Sequence, residues 1–128
     1  MNTLIKAVII DDERSSRQVL LQMLNRFCDN VDVVATAESA DAGRIAINKY
    51  KPDVVFLDVE MPFQTGFEFL RTINAIDFRV VFVSAHQRYL EEAKQFSPLG
   101  FLLKPVNLSE LKAMVERIEY GVMESWSS

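Results

Sequence analysis

Polar and charged residues follow four short apolar runs of the chain, and their types suit phosphoryl chemistry. Asp11-Asp12 follows one run, Asp58 a second, Ser84 a third and Lys104 a fourth. Carboxylates supply the oxygen ligands that Mg²⁺ prefers, while an ammonium and a hydroxyl can donate to phosphoryl oxygens. An aspartate can also accept a phosphoryl group and form an acyl phosphate. If the fold brings them together, these residues predict an Mg²⁺-dependent aspartyl-phosphate site.

Each of these residues also has an ordinary structural explanation. The acidic run 11–13 could cap a helix and complement its dipole, and Asp58 could be a turn residue. Ser84 could equally cap a helix, and Lys104 could be a solvated residue ahead of a turn proline. The inference depends on their coincidence, because the interiors of the four runs are apolar and the residue that leaves each of them is polar.

The apolar runs alternate with amphipathic stretches along the whole chain, which predicts five βα units. The predicted strands are 4–10, 31–35, 53–57, 79–83 and 99–103, and the predicted helices are 14–27, 39–50, 66–75, 88–96 and 108–123. Runs that are apolar at consecutive positions are typical of parallel strands covered on both faces. We therefore expect a doubly wound α/β fold, with a ligand site at the carboxyl ends of its strands.

Helical spacing also predicts which side chains of the first two helices face the core, and Ser39 as the cap that begins the second helix. The predicted inward residues are Val19, Leu20, Met23, Leu24 and Phe27 in the first helix, and Ala42, Ile45 and Ala46 in the second.

Length and composition indicate one compact domain. The 128 residues are 49% hydrophobic and 25% charged, which excludes extensive disorder, and the net charge of −4 lacks the basic excess that non-specific nucleic-acid binding needs. The lone Cys28 has no partner for an internal disulfide, and we expect it to pack in the core. With no leader or membrane-length apolar run, we expect a cytoplasmic location and no membrane contact. Residues 1–123 are predicted to form the domain and 124–128 a tail or the start of a linker.

The chain resembles the receiver domain of two-component response regulators over nearly its whole length. The motifs that carry the resemblance are Val8-Ile9-Ile10-Asp11-Asp12-Glu13, Phe56-Leu57-Asp58-Val59-Glu60-Met61-Pro62 with Gly66, Val83-Ser84-Ala85, and Gly100-Phe101-Leu102-Leu103-Lys104-Pro105. The resemblance implies a flavodoxin-like parallel sheet of five strands, in the order 2-1-3-4-5, with five helices.

The resemblance also implies roles for the residues at the strand ends. Asp58 matches the aspartate that accepts a phosphoryl group from the phosphohistidine of a sensor histidine kinase, or from acetyl phosphate. Asp12 matches the direct Mg²⁺ ligand, Asp11 acts largely through water, and the main-chain carbonyl of Glu60 completes the protein's share of the coordination. Lys104 matches the lysine that pairs with the phosphoryl oxygens.

Further positions match the switch of the family. The peptide bond before Pro105 is expected to be cis. Ser84 matches the hydroxyl that moves towards the phosphoryl group, and Phe101 the aromatic ring that turns into the vacated space. Because Phe101 replaces the commoner tyrosine, the switch would work through packing alone. Glu60 and His86 occupy the positions that tune dephosphorylation in the family. Without the resemblance, Phe101 would be read as a core residue and His86 as a solvated loop residue.

The stretch 84–96, together with 102–106, looks like receivers joined to LytTR-type DNA-binding domains. DNA would then be contacted only through an effector domain outside this chain. In receivers generally, helix 4, strand 5 and helix 5 form the output and dimer face. In this chain that face is expected to include Arg88, Glu92, Lys112 and Glu116.

Two other functions compete with a signalling switch. A phosphatase of the haloacid-dehalogenase type also uses an aspartyl phosphate and Mg²⁺, but Asp58-Val59-Glu60 lacks the second aspartate of that family. A binding module that keeps only the fold would have no need for the full set of polar residues at the strand ends. We therefore expect a signalling domain that transfers a phosphoryl group to itself and hydrolyses the product slowly.

Overall fold

The computed structural model describes the chain from residue 4 to residue 127, and side chains from 4 to 120. Its elements, in chain order, are β1 (Ile5–Ile10), α1 (Arg14–Phe27), β2 (Val31–Ala37), α2 (Ala40–Tyr50), β3 (Val54–Asp58), α3 (Gly66–Arg71), β4 (Arg79–Ser84), a 3₁₀ turn (Gln87–Tyr89), α4 (Leu90–Lys94), β5 (Gly100–Leu103) and α5 (Leu108–Ser127). The five strands form one parallel sheet in the order β2-β1-β3-β4-β5, which confirms the predicted doubly wound fold.

Two apolar clusters cover the two faces of this sheet. One cluster joins the sheet to α2, α3 and α4. The other joins it to α1 and α5, and it includes the predicted core residue Cys28. The four residues 54–57 of the central strand β3 are all fully buried, because helices lie on both sides of it. The run of consecutive apolar residues therefore correctly predicted a strand that is covered by helices on both faces of the sheet.

Local capping agrees with the sequence at the start of two helices. The Ser39 hydroxyl accepts a hydrogen bond from the main-chain N–H of Ala42, which begins α2 as predicted. At α3 the Thr65 hydroxyl accepts from the N–H of Glu68, and the Glu68 carboxylate accepts from the N–H of Thr65. This reciprocal pair fixes the end of the β3–α3 loop next to the site.

Three residues predicted to face the core are instead exposed. Ile45 is 68% exposed, Phe27 50% and Val19 49%. In α2 the buried face is formed by Ala40, Gly43 and Ala46 together with Ile47, so Ile45 falls on the opposite side. In α1 the deeply buried positions are Leu20 and Leu24, and the outer apolar residues lie at the edge of that stripe. Apolar residue type alone overestimated the width of the buried stripe.

Several element ends also differ from the prediction. α3 ends at Arg71 rather than at 75, because Thr72 and Ile73 donate main-chain bonds three residues back, to Phe69 and Leu70, and tighten the last turn. α4 is preceded by a 3₁₀ turn and ends at Lys94. α5 continues to Ser127, where the sequence has no proline to stop it, so the tail predicted at 124–128 is helical as far as it is described. Within the described residues, no helix is both long and apolar enough to cross a membrane.

Candidate functional site

The predicted site residues meet at one edge of the sheet because of the strand order. Asp11 and Lys104 directly follow β1 and β5, while Asp58 and Ser84 are the last residues of β3 and β4. In a parallel sheet these carboxyl ends lie on the same side, and the winding reverses between β1 and β3. The location predicted from the sequence is thus where the structure places these four side chains.

Three aspartates form an acidic cluster at this edge. Asp11, Asp12 and Asp58 each offer a carboxylate oxygen, and these oxygens lie within 4.8 Å of one another. Asp11 and Asp58 are buried, with only 4% and 3% of their surface exposed, whereas Asp12 is accessible to solvent. Because buried like charges repel, such a cluster needs protons or cations to offset it.

Lys104 provides one cation within the protein. Its ammonium Nζ lies 2.9 Å from Asp11 Oδ2, 3.2 Å from Glu13 Oε1 and 3.6 Å from Asp58 Oδ1. Burial would lower the pKa of Lys104, but the hydrogen bond to Asp11 and the charge of Asp58 raise it above its usual value. The lysine therefore stays charged in the site. The following peptide bond, to Pro105, is cis, as the resemblance implied.

Asp58 is the most perturbed carboxyl group of the site. Burial first, and then the charge of Asp11, raise its pKa from 3.8 to about 8, although Lys104 opposes the shift. A hydrogen bond with Asp12 and the charge of Asp12 add to the increase. With no further cation, Asp58 thus holds a proton at neutral pH. A divalent cation beside it would favour the ionised form, which is the form able to attack phosphorus.

The three aspartates fit an Mg²⁺ ion by their chemistry. All the side-chain donors of the cluster are carboxylate oxygens, and Asp12 leaves the cluster open to water, which suits an ion that keeps several water ligands. The resemblance implies the main-chain oxygen of Glu60 as a further ligand. Glu60 lies two residues after Asp58, in the β3–α3 loop.

The Ser84 hydroxyl is turned towards the loop that follows β4. Its Oγ accepts a hydrogen bond of 3.0 Å from the main-chain N–H of His86 and donates one of 3.2 Å to the main-chain oxygen of the same residue. Ser84 is fully buried, so the hydroxyl has few alternative partners. A movement of Ser84 towards Asp58 would break both bonds and release the main chain of this loop.

Glu60 and His86, each two residues beyond a polar strand end, contact each other. His86 Nε2 lies 3.3 Å from Glu60 Oε1, and Arg88 Nη2 lies 3.7 Å from the same oxygen. All three side chains are substantially exposed, so the contact joins the β3–α3 and β4–α4 loops at the surface. Two residues that were predicted only by position are therefore in mutual contact.

Phe101 lies on the face of the sheet that carries α4. It is paired in register with Phe82 and is half-buried against the same apolar cluster. Phe82 contacts Phe67 and Phe96, and these two rings stack with centroids 5.4 Å apart. Tyr89 also contacts Phe67. The predicted switch ring thus adjoins an aromatic cluster that ties the segments on either side of α4 to α3 and β4.

Three residues of the site were not singled out from the sequence. Glu13 was assigned only a capping role, yet it contacts Lys104. Arg17 donates a 2.7 Å hydrogen bond to the main-chain oxygen of Asp11, and nothing in its helical position indicated this bond. Gly66 belongs to a motif, but the sequence does not show why a glycine is required there. A Cβ atom on Gly66 would lie 2.5 Å from the main-chain oxygen of Asp58, so only glycine allows this approach.

Two of the residues expected on the output face contact neighbouring helices. Arg88 is exposed, but the Glu92 carboxylate is paired with Arg71 of α3 at 3.4 Å. Lys112 lies with its Nζ 5.6 Å from the ring centre of Phe27, on the α1 side of α5. Which residues form the α4–β5–α5 face, Lys112 and Glu116 included, stays a prediction.

Comparison with known proteins agrees with this geometry. The protein-family model of the response regulator receiver domain matches residues 7–116 of this chain. An uncharacterized response regulatory protein of Vibrio parahaemolyticus is 37% identical over 123 residues, which are 95% of this chain and 50% of that protein. The transcriptional regulatory protein HptR of Staphylococcus aureus is 29% identical over 124 residues, which are 95% of this chain and 49% of that protein.

The fold agrees with solved structures as well. The signal receiver domain of the putative response regulator NarL from Mycobacterium tuberculosis has a TM-score of 0.78 and 28% identity, and the match covers 91% of this chain and 98% of that one. The chain spans about half the length of the curated relatives it matches. Since the family model covers most of the sequence, the chain belongs to the receiver domains of two-component response regulators.

Proposed function

We propose that Asp58 is the phosphoryl acceptor of this receiver domain and that phosphorylation there is its signalling event. The observation that supports this assignment is the convergence of Asp11, Asp12 and Asp58 on one edge of the sheet, with the Lys104 ammonium among them. The donor is the phosphohistidine of a sensor histidine kinase, or a small molecule such as acetyl phosphate.

The transfer forms a bond between an Asp58 carboxylate oxygen and phosphorus while the bond from phosphorus to the donor breaks. The leaving group, an imidazole nitrogen or acetate, departs with the bonding electron pair. Lys104 is close enough to donate to the phosphoryl oxygens once they are attached to Asp58. We expect the acyl phosphate to be hydrolysed slowly by water that attacks phosphorus, with the Asp58 carboxylate as the leaving group.

Asp12, Asp58 and the main-chain oxygen of Glu60 would hold Mg²⁺, with Asp11 acting through water. When bound, the ion supplies positive charge that favours ionised Asp58 and offsets the charge of the incoming phosphoryl group. Glu60 and His86 would tune the lifetime of the acyl phosphate, because their contact lies across the two loops that flank the site.

The Ser84 hydroxyl and the Phe101 ring would carry the signal away from the site. Ser84 leaves the main chain of His86 to donate to the phosphoryl group, and Phe101 turns into the space that opens beside it. Phe101 packs against the apolar cluster that includes α3 and α4, and Ser84 is bonded to the main chain of His86 just ahead of the 3₁₀ turn that precedes α4. The displacement would therefore reach the α4–β5–α5 face. The partners proposed for the whole protein are a sensor kinase, a second copy at that face, and DNA through an effector domain of LytTR type. The cytoplasmic location and the domain boundary at 123 stay predictions.

The test is to incubate the protein with Mg²⁺ and acetyl phosphate and to follow its intact mass. We expect one phosphoryl adduct per chain on the parent protein and none on Asp58→Asn. A chelator added before the donor should abolish uptake, because the clustered carboxylates then lack their cation.

Asp32→Asn, which makes the same chemical change at an exposed position of β2, is the matched control and should be phosphorylated like the parent. An undiminished adduct on Asp58→Asn, or uptake that persists with chelator, would contradict the assignment. Rapid multiple turnover of ordinary phosphate esters would instead identify a phosphatase.

A further inference from the structure

The Lys104 ammonium is bonded to two carboxylates, neither of which is the proposed acceptor. Its distances of 2.9 Å to Asp11 Oδ2 and 3.2 Å to Glu13 Oε1 are hydrogen-bond lengths, whereas 3.6 Å to Asp58 Oδ1 is too long for one. An ammonium has three N–H donors, and two of them are engaged away from Asp58. In this state the lysine attracts Asp58 but does not donate to it.

Glu13 reaches Lys104 because of its position between β1 and α1. It is the N-cap residue of α1, but its side chain makes no capping hydrogen bond. Its main-chain N–H donates to Asp11 Oδ1 at 2.9 Å, which fixes the residue beside the acidic cluster. The carboxylate is therefore free to bond with Lys104, although 59% of the side chain is exposed.

On the basis of the function proposed above, we propose that Glu13 is a positioning residue. Its carboxylate restrains phosphorylation by holding Lys104 away from Asp58. A phosphoryl group on Asp58 adds negative charge that the ammonium must approach. The third donor of the ammonium is free, but it comes within hydrogen-bond distance only if Nζ moves towards Asp58. That movement lengthens one of the two existing bonds, and the Glu13 carboxylate is the partner that water can solvate after release. Exposed ion pairs are weak, so the restraint on the rate is about two- to fivefold.

Two substitutions separate the contact from the charge. Glu13→Gln removes the charge and weakens the bond to Lys104. Glu13→Asp keeps the charge, but the shorter side chain cannot reach as far, and aspartate at an N-cap accepts hydrogen bonds from its own helix. We expect both variants to take up the phosphoryl group from acetyl phosphate, at fixed Mg²⁺, about two- to fivefold faster than the parent, as measured by intact mass.

Controls test whether the effect passes through the lysine. Glu91→Gln removes a carboxylate that is paired with Lys94 at 3.0 Å on α4, and it should leave the rate unchanged. In a Lys104→Ala background the Glu13 substitutions should have no further effect, since the group on which they act is gone. A merely structural role of Glu13 would persist in that background. Thermal melts of each variant verify that it is folded.

The other outcomes overturn the proposal in different ways. Slower uptake in both Glu13 variants would mean that Glu13 holds Lys104 in its reactive position. Faster uptake in Glu13→Gln alone would indicate a field effect on the anionic donor rather than the contact. Unchanged rates would show that the bond is irrelevant. No adduct on the parent protein would overturn the proposed function itself, and this is seen before any Glu13 variant is compared.

Discussion

At the scale of single residues, the burial of Asp58 is the main electrostatic cost of the site. A reactive carboxylate must be ionised, yet burial and the neighbouring Asp11 raise the pKa of Asp58 to about 8. The fold thus keeps Asp58 protonated until a cation ionises it. A pKa shifted in this way is typical of functional rather than purely structural carboxylates. Three of the 18 acidic residues of the chain belong to this one cluster.

This shift has a consequence for stability that can be measured without Mg²⁺. The unfolded chain ionises Asp58 near the ordinary pKa of 3.8, whereas the folded protein keeps the proton up to a pKa of about 8. Between these values the unfolded state binds fewer protons, so rising pH lowers the free energy of unfolding. The loss begins above about pH 4 and levels off above about pH 8.

Asp58→Asn cannot ionise and lacks this loss. In a buffer with chelator we expect the variant to melt several degrees above the parent at pH 8, with the difference shrinking towards pH 4. Asp32→Asn, at an exposed position, is the control and should show no comparable pH-dependent difference. Thermal melts from pH 4 to pH 8.5 provide the measurement. A variant that is no more stable than the parent at any pH would show that Asp58 is ionised in the folded protein.

At the scale of elements, the sequence predicted strands and helices well where periodicity was long and caps were explicit. Ser39 began α2 as expected, and the consecutive apolar residues of β3 correctly indicated a strand covered on both faces. Element ends were less predictable, because the stop of α3 depends on local three-residue bonds at Thr72 and Ile73.

The same reasoning applies to the site. Residues at strand ends were predictable from the sheet topology, since parallel strands deliver them to one edge. The contacts of Glu13 with Lys104 and of Arg17 with the main chain of Asp11 were not, because each joins separate segments through long side chains. Ile45 shows a different kind of error. Its apolar side chain predicted burial, but its position around the axis of α2 places it on the exposed side.

The β3–α3 loop carries a strained residue beside the site. Phe63 has a φ of 72°, in the left-handed region that bulky side chains rarely adopt, and its side chain is fully exposed at 107%. The loop is held at both ends, by buried Met61 and by the Thr65–Glu68 capping pair. This anchoring keeps the loop in place although Phe63 itself contributes no burial.

Phe63→Gly should therefore stabilise the protein. The left-handed conformation costs roughly 1–2 kcal/mol for a side chain and little for glycine, and the extra flexibility of unfolded glycine offsets part of the gain. We expect an increase of about 0.5–1 kcal/mol in the free energy of unfolding, measured by urea denaturation. Gln64→Gly is the matched control, because its φ is not positive and the substitution should destabilise. Equal destabilisation by both changes would disprove the strain.

At the scale of the whole molecule, the site and the proposed output face lie on one continuous part of the fold. β5 is the edge strand next to β4, and Lys104 follows it directly. Leu103, the last residue of β5, is 40% exposed and presents an apolar side chain beside that edge. Leu103 is the chain neighbour of Lys104. A displacement of Lys104 would therefore move an exposed apolar side chain and could alter association with a second copy.

We accordingly expect phosphorylation to shift the chain from monomer towards dimer, as measured by light scattering after gel filtration with and without acetyl phosphate and Mg²⁺. Leu103→Glu should keep the phosphorylated protein monomeric, because a charge at the interface costs several times the energy that its apolar contact contributes. The variant should still take up one phosphoryl group, since Leu103 is not a member of the carboxylate cluster. Ile45→Glu makes a similar change at an exposed position of α2, which packs near β2 at the opposite edge of the sheet from β5. It is the control and should dimerise like the parent. Equal masses of phosphorylated and unphosphorylated parent would refute a dimer switch, and equal dimerisation of the two variants would place the interface elsewhere.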